Sequence, residues 1–192
     1  MIEKSLFRVP IFMERINYSI SIEELCYQAY HQDHNGLTNS NLGGWQSDDI
    51  NYPDSPFFFI LSDIEKVCQK ICADVLKIKG DFSIGNTWIN INRKGNSNLT
   101  HTHPKTILSG VYYAKTPENS GEIVFFHPAY DMMIRDWDER SIVSYNDINS
   151  LTMKCQVEKG LLYIFPPWIK HYVNPNQSDE ERISIAFNII DK

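Results

Sequence analysis

Past Gly80 the chain stops repeating its apolar residues every three or four positions and starts alternating them every two. No other feature constrains the fold as strongly. A period near 3.6 marks one face of a helix, a period of 2 one face of a sheet, and a segment written for one exposes its apolar set in the other. The stretch SIGNTWININ at 83–92 alternates in this way. So do the runs around 107–113, 122–126, 161–165 and 183–189. Each is short and bounded by Gly, Pro, Asn or Asp. Many short strands separated by turn residues build a sandwich or a barrel.

The first eighty residues are helical where they are regular. Residues 6–16 read as an extended strand entering the domain. Ser21-Ile-Glu-Glu24 is an S-x-x-E capping box opening a helix through about Gln32, with His31 and His34 at its frayed end. A second box, Ser62-Asp-Ile-Glu65, is expected to start a helix bearing Ile64, Val67, Cys68, Ile71, Val75 and Leu76 at spacings of three and four. Lys77, Lys79 and Gly80 supply its positive end and its stop. Its apolar face should lie on a sheet.

Two stretches have no period. Residues 35–57 are rich in Gly, Asn, Asp, Ser and Pro but hold Trp45 and Tyr52, so a packed loop is expected, as a lid or side wall. Residues 130–150 read as a second long loop over the barrel, and Trp137 joins Trp45 as a lid candidate. At 192 residues the chain has the length of one domain, with strand, helices and loop over 1–80 and the β core over 81–192. The expected class is mainly β with supporting α.

Charge and cysteine usage narrow the partners. There are 18 Lys and Arg against 24 Asp and Glu, a formal charge of −6, which argues against bulk nucleic acid or an anionic membrane surface. No apolar run approaches the ~18 residues of a membrane span. The opening MIEKSLFRVPIFMERI lacks the apolar stretch of a signal peptide. Cys26, Cys68, Cys72 and Cys155 form no C-x-x-C pair, and Cys68 and Cys72 share a helix face as small core residues. A cytoplasmic protein with reduced thiols is expected.

Three clusters carry chemistry. His101-Thr-His103-Pro104 sets two imidazoles at i and i+2, the same face of a strand, where both can reach one metal ion. Gly160-Leu-Leu-Tyr-Ile-Phe-Pro-Pro-Trp-Ile-Lys-His171 is a glycine turn, an apolar strand and a proline-rich bend leading to a third histidine, the pattern of a late barrel strand returning to a metal site. Arg182-Ile-Ser184-Ile-Ala-Phe-Asn188 alternates a polar face against Ile183, Ile185, Phe187 and Ile189. An arginine turned into a barrel must be paired, and its planar fork suits a carboxylate. That carboxylate belongs either to a ligand or to an internal Asp or Glu.

In this order and spacing the clusters resemble the 2-oxoglutarate- and iron(II)-dependent dioxygenases. The stretches WININRKGNSNLTHTHPKTILSGVYYAKTPENSGEIVF and GLLYIFPPWIKHYVNPNQSDEERISIAFN are similar to a 2OG-Fe(II) oxygenase subfamily, and SNLGGWQS at 40–47 extends the likeness into the N-terminal third. The resemblance implies a double-stranded β-helix, a jelly-roll or cupin-like barrel, with the N-terminal helices packed on one sheet. It implies Fe(II), 2-oxoglutarate and O2 as cofactors, and hydroxylation of a C–H bond with release of succinate and CO2. His101 and His171 match the family's histidine ligands. Arg182 and Ser184 match the pair that grips the distal carboxylate of 2-oxoglutarate. His103 stands where most of the superfamily has Asp or Glu. Either it ligates, or water completes the shell, or a distant carboxylate such as Glu122 or Asp131 does. Asn90 and Asn92, on the strand face of Trp88, are placed near the cosubstrate or at the barrel ends. Tyr113 is a further candidate lining residue, Asn188 one for the arginine face, and His127 a loop histidine or substrate contact.

Two other readings stay open. One is a cupin-type three-histidine metalloenzyme that does not use 2-oxoglutarate, which His103 favours and Arg182-x-Ser184 disfavours. The other is a non-enzymatic β-sandwich binding module with incidental histidines. Substrates remain a small molecule, a peptide or a protein side chain, and the architecture often forms a homodimer through its helical part.

Overall fold

The computed structural model describes residues 8–192, so the first two positions of the strand expected over 6–16 lie outside the described residues. In chain order the elements are β1 (Phe12–Arg15), α1 (Ile22–Gln32), β2 (Asn41–Leu42), β3 (Trp45–Gln46), α2 (Phe58–Lys70), β4 (Phe82–Asn92), β5 (Ser97–His101), β6 (Leu108–Lys115), β7 (Ile123–Phe126), α3 (Tyr130–Asp136), β8 (Thr152–Cys155), β9 (Leu161–Phe165), β10 (His171–Val173) and β11 (Arg182–Asp191). Two antiparallel sheets result, ordered β1-β9-β6-β11-β4-β3 and β2-β5-β10-β7-β8. From β4 to β7, and again from β8 to β11, successive strands alternate between the sheets. That alternation is the winding of a double-stranded β-helix.

The period-two pattern of β11 explains the layering. Ile183, Ile185, Phe187 and Ile189 are wholly buried in one core with Ile60, Ile64 and Cys68 of α2 and Cys26 of α1. The opposite face of the sheet turns toward the second sheet. There Val111, Tyr113, Ile123, Phe125, Tyr163, Phe165 and Ile169 form a smaller core inside the barrel. The larger sheet is therefore covered on both sides, by helices on one and by a lined cavity on the other.

Ser21 caps α1 as its capping box predicts, its hydroxyl accepting from the Glu24 amide at 3.2 Å. The second box does not start a helix. α2 begins just after Pro56, with the Phe58 amide donating to the Ser55 carbonyl at 3.0 Å, and Ser62 and Glu65 lie inside it. Glu65 is used otherwise. Its carboxylate accepts from the Ile84 amide at 3.0 Å while Gln69 donates to the Phe82 carbonyl at 2.9 Å, tying α2 to the start of β4. The helix then widens into a π-helical turn, Ile71–Leu76, and stops at Lys77, which takes the left-handed conformation (φ 56°), rather than at Gly80. The wider turn rotates Val75 off the apolar stripe to 57% exposure.

The segment 35–57 is not a structureless lid. β2 pairs with β5 and β3 with β4, so these few residues bridge the gap between the sheets. The crossing needs glycine. Gly43 and Gly44 have φ of 68° and 73°, and a Cβ on Gly43 would lie 2.3 Å from the Asn96 side chain. Residues 130–150 are likewise more regular than expected, holding α3 and a single 3-10 turn at Glu139–Ser141. All four cysteines are free thiols, and Cys26, Cys68 and Cys72 are buried. Among the described residues no helix is long and apolar enough to cross a membrane.

Candidate metal centre

Strand register assembles the histidines. Antiparallel pairing of β10 with β5 sets His171 directly opposite His101. Two residues further along β10, Val173 pairs with Asn98, so three residues of β5 face two of β10. Such a bulge re-aims side chains. It brings Asn98 and His101 to one cavity and leaves Leu99 and Thr100 on the outside. His103 lies beyond the strand end, so strand geometry alone does not align it with His101. The turn carrying it is fixed by its own amide donating to the Pro167 carbonyl at 2.9 Å and by the Thr106 hydroxyl donating to its carbonyl at 3.0 Å.

One ring nitrogen from each of His101, His103 and His171 lies within 4.8 Å of the others, and the Nε2 atoms of His103 and His171 are 3.3 Å apart. His101 Nδ1 meets the Leu99 carbonyl at 2.7 Å and His171 Nδ1 the Ile169 carbonyl at 3.0 Å. A carbonyl only accepts, so the proton of each neutral ring sits on Nδ1 and Nε2 keeps its lone pair. Burial first, and the neighbouring His101 second, push His103 down to about 4 and His171 down to about 3; burial also lowers His101. At neutral pH the cluster is three uncharged imidazoles, a donor set suited to a transition-metal ion.

No carboxylate joins them among the described residues. Glu122 accepts from Asn174 Nδ2 at 2.9 Å in a different groove, and exposed Asp131 lies 3.6 Å from Lys170.

The histidines open onto a narrow cavity between the two sheets. Its lining mixes apolar Val111, Ile123, Phe165 and Val173 with polar Ser40, Asn90, Asn98, Tyr113, Ser184 and Arg182. Arg182 is 1% exposed, and burial lowers its guanidinium from its ordinary value. Its hydrogen bonds all leave from Nη1, to the carbonyls of Ser120, Gly121 (3.2 Å) and Asn174 (3.3 Å). Among the described residues no Asp or Glu pairs with it, which removes the internal ion pair as its explanation. A guanidinium has five N–H donors, so Nε and Nη2 retain three toward a ligand.

Cross-strand register sets Ser184 opposite Asn90 and Ala186 opposite Trp88, all on the cavity. Asn90 Oδ1 is buried with no partner. Asn92 pairs opposite Arg182 at the strand end and does not line the cavity. Tyr113 is fully buried; burial pushes its phenol up while Arg182 pulls the other way.

Four further residues singled out from the sequence sit elsewhere. Asn188 is committed to a closed network, accepting from Ser109 Oγ at 2.7 Å and donating to Asn86 Oδ1 at 2.9 Å. His127 Nδ1 accepts from the Ala129 amide at 3.0 Å and steadies the turn into α3. Trp137 is 47% exposed beside a separate surface depression. Trp45 is 7% exposed in the helix–sheet core, its Nε1 donating to the Asp33 carbonyl at 2.7 Å. In its place Ser40, from the same segment, reaches the cavity. Asn98, which also lines the cavity, has no signature in the sequence, because a bulge leaves no mark in a two-residue period.

Comparison with known proteins places these features. Residues 86–188 match the family described as "Putative 2OG-Fe(II) oxygenase". No curated protein matches the sequence. Among solved structures, a prolyl-4-hydroxylase from Pseudomonas putida superposes with a TM-score of 0.65 at 12% identity, covering 96% of this chain and 94% of its own. HygX from Streptomyces hygroscopicus, solved with nickel and 2-oxoglutarate bound, gives 0.63 at 8% identity, covering 96% and 84%. A viral collagen prolyl hydroxylase from Paramecium Bursaria Chlorella virus-1, solved with 2-oxoglutarate, gives 0.56 at 15%, covering 92% and 94%. At such identities the likeness is one of fold, the double-stranded β-helix.

Proposed function

The chain belongs to the 2OG-Fe(II) oxygenase family, and from that premise we propose that it is a hydroxylase of an unactivated C–H bond in a small molecule or in a peptide or protein side chain. The family's cofactors are Fe(II) and 2-oxoglutarate, with O2 as co-reactant. Both fit the residues present. Three neutral imidazoles converge as a metal donor set, and in the same cavity stands a buried guanidinium with no Asp or Glu paired to it among the described residues. That unpaired Arg182 is the observation on which the reading rests. A buried charge left unpaired is costly, and a dicarboxylate cosubstrate supplies the partner.

In this reading His101, His103 and His171 hold the metal. When bound, the metal with 2-oxoglutarate and O2 supplies the oxidative chemistry, which releases succinate and CO2. The chain's own part is orientation and exclusion. The Leu99 and Ile169 carbonyls hold the His101 and His171 rings with Nε2 inward. The carbonyls of Ser120, Gly121 and Asn174 fix Nη1 of Arg182, leaving Nε and Nη2 as a fork for the distal carboxylate. The Ser184 hydroxyl donates beside it, with Asn90 and Tyr113 on the strands flanking Ser184. Val111, Ile123, Phe165 and Val173 keep water from the reacting atoms. Two structural neighbours are named prolyl hydroxylases, which supports a peptide among the substrates.

The test is succinate formation by purified protein with Fe(II), ascorbate and 2-oxoglutarate, without added substrate. Slow uncoupled turnover that disappears in His171→Ala and Arg182→Ala is expected. Turnover retained in both variants would sink the assignment. A three-histidine enzyme that ignores 2-oxoglutarate is favoured by His103, yet it leaves Arg182 without a partner.

A further inference from the structure

We propose that Thr106 is a positioning residue for the metal centre: its hydroxyl holds the turn from His103 to Thr106 in the shape that brings the third imidazole to the other two. The proposal rests on the three-histidine reading above and concerns how the third ligand is held. His101 and His171 are fixed twice. Each stands in a strand, paired with the other, and each ring is oriented through Nδ1 by a carbonyl, of Leu99 or of Ile169. His103 has neither support. It lies beyond the end of β5, and among the described residues its ring has no polar contact besides His171 Nε2 at 3.3 Å. With no carbonyl to orient the ring, the direction of its imidazole is set by its backbone.

That backbone is held at two points. The His103 amide donates to the Pro167 carbonyl at 2.9 Å, which ties it to the bend before His171. On the other side runs the turn His103-Pro104-Lys105-Thr106, where Lys105 takes the left-handed conformation, φ 66°. A lysine enters that region at a cost that its surroundings must offset. Among the described residues no backbone hydrogen bond closes the turn. The Thr106 hydroxyl closes it instead, donating to the His103 carbonyl at 3.0 Å. That hydroxyl is seated in turn. Its oxygen lies 3.4 Å from Ser109 Oγ, which is wholly buried and donates to Asn188 Oδ1 at 2.7 Å, while Asn188 donates to Asn86 Oδ1 at 2.9 Å. The network gives Asn188 a task. It stands on β11 outside the cavity, and through Ser109 it backs the hydroxyl that sets His103.

The experiment measures Co(II) binding by calorimetry and by the visible ligand-field spectrum of the bound ion, with no 2-oxoglutarate present. Thr106→Val removes the hydroxyl and keeps the shape of the side chain. It should weaken Co(II) by about tenfold to a hundredfold, the usual effect of losing a group that orients a metal ligand. Its spectrum should move toward that of His103→Ala. Thr106→Ser, which keeps the hydroxyl, should bind within about threefold of wild type. In a His103→Ala background Thr106→Val should change affinity by less than about twofold, because a residue that acts through His103 has nothing left to act on. Where the valine variant does not fold, Thr106→Ala carries the same predictions. Thr106→Val that binds Co(II) as tightly as wild type with an unchanged spectrum overturns the proposal and leaves the three-histidine reading standing. So does a loss equally large with and without His103. His103→Ala that binds Co(II) as tightly as wild type, or wild type that binds none, overturns both.

Discussion

Replacing Arg182 with Met separates a ligand-binding arginine from a structural one. The substitution keeps the bulk of a side chain that is 1% exposed and removes the fork. Two bonds from a guanidinium to a carboxylate, at about 1.5–3 kcal/mol each, amount to about 3–6 kcal/mol, or a hundredfold to ten-thousandfold in 2-oxoglutarate affinity. The unliganded protein should change little. The variant strands the carbonyls of Ser120, Gly121 and Asn174 but also removes a buried cation with no carboxylate beside it, and these effects oppose each other. The assay is the melting temperature of metal-loaded protein with and without 2-oxoglutarate at about a hundred times the wild-type Kd. Binding then adds about 2.7 kcal/mol, which for a chain of this size raises Tm by about 5–10 °C. Wild type should show that shift and Arg182→Met no more than about 1–2 °C. An equal shift in both would refute the carboxylate assignment. A variant that is grossly unstable before any ligand is added would mark Arg182 as structural.

Three further outcomes follow from the same geometry. The metal-free protein should lose stability as pH falls. His103 and His171 titrate near 4 and 3 in the fold against 6.5 when unfolded, so below pH 6.5 the unfolded chain binds more protons. Urea unfolding at pH 7 and pH 5 should differ by about 2–4 kcal/mol, and the loss should level off once the pH falls below about 3. Gly121→Ala forces a Cβ to 2.3 Å from the Asn174 carbonyl at a φ of 86°, disturbing two of the three carbonyls that hold Arg182. It should cost about 1–3 kcal/mol by chemical denaturation and weaken 2-oxoglutarate binding in calorimetry. Trp45→Ala should cost about 3–5 kcal/mol of stability and leave 2-oxoglutarate affinity unchanged. A lid residue would do the reverse.

The sequence exposes those parts of the fold whose side chains face hydrocarbon on one side. β4, β6, β7, β9 and β11 are readable because each sets an apolar face against the helices or the inner core. β5 and β10 are not, since their positions are given to Asn98, His101 and His171, and a strand of site residues has no apolar alternation to find. α2 starts before Ser62-x-x-Glu65, which has the spacing of a capping box while its glutamate serves the Ile84 amide instead. The Ser55-Pro56 pair, proline at a helix entrance, was the available signal. At the site, His101, His103, His171, Arg182 and Ser184, which the family resemblance groups together, line one cavity. What they could not reveal was which aromatic residues of the long loops reach the cavity. Trp45 and Trp137 are equivalent in sequence, yet Trp45 packs in the helix–sheet core and Ser40, three residues before the Gly43–Gly44 crossing, lines the cavity.

Calorimetric titration of 2-oxoglutarate into the protein with and without Fe(II), under argon, tests the central claim most directly. If three histidines hold a metal in the cavity where Arg182 waits for a carboxylate, one 2-oxoglutarate should bind per metal, at least about tenfold more tightly with metal than without. His171→Ala should abolish that difference. Binding of 2-oxoglutarate that is indifferent to the metal, or a metal-dependent gain that survives His171→Ala, would contradict the account.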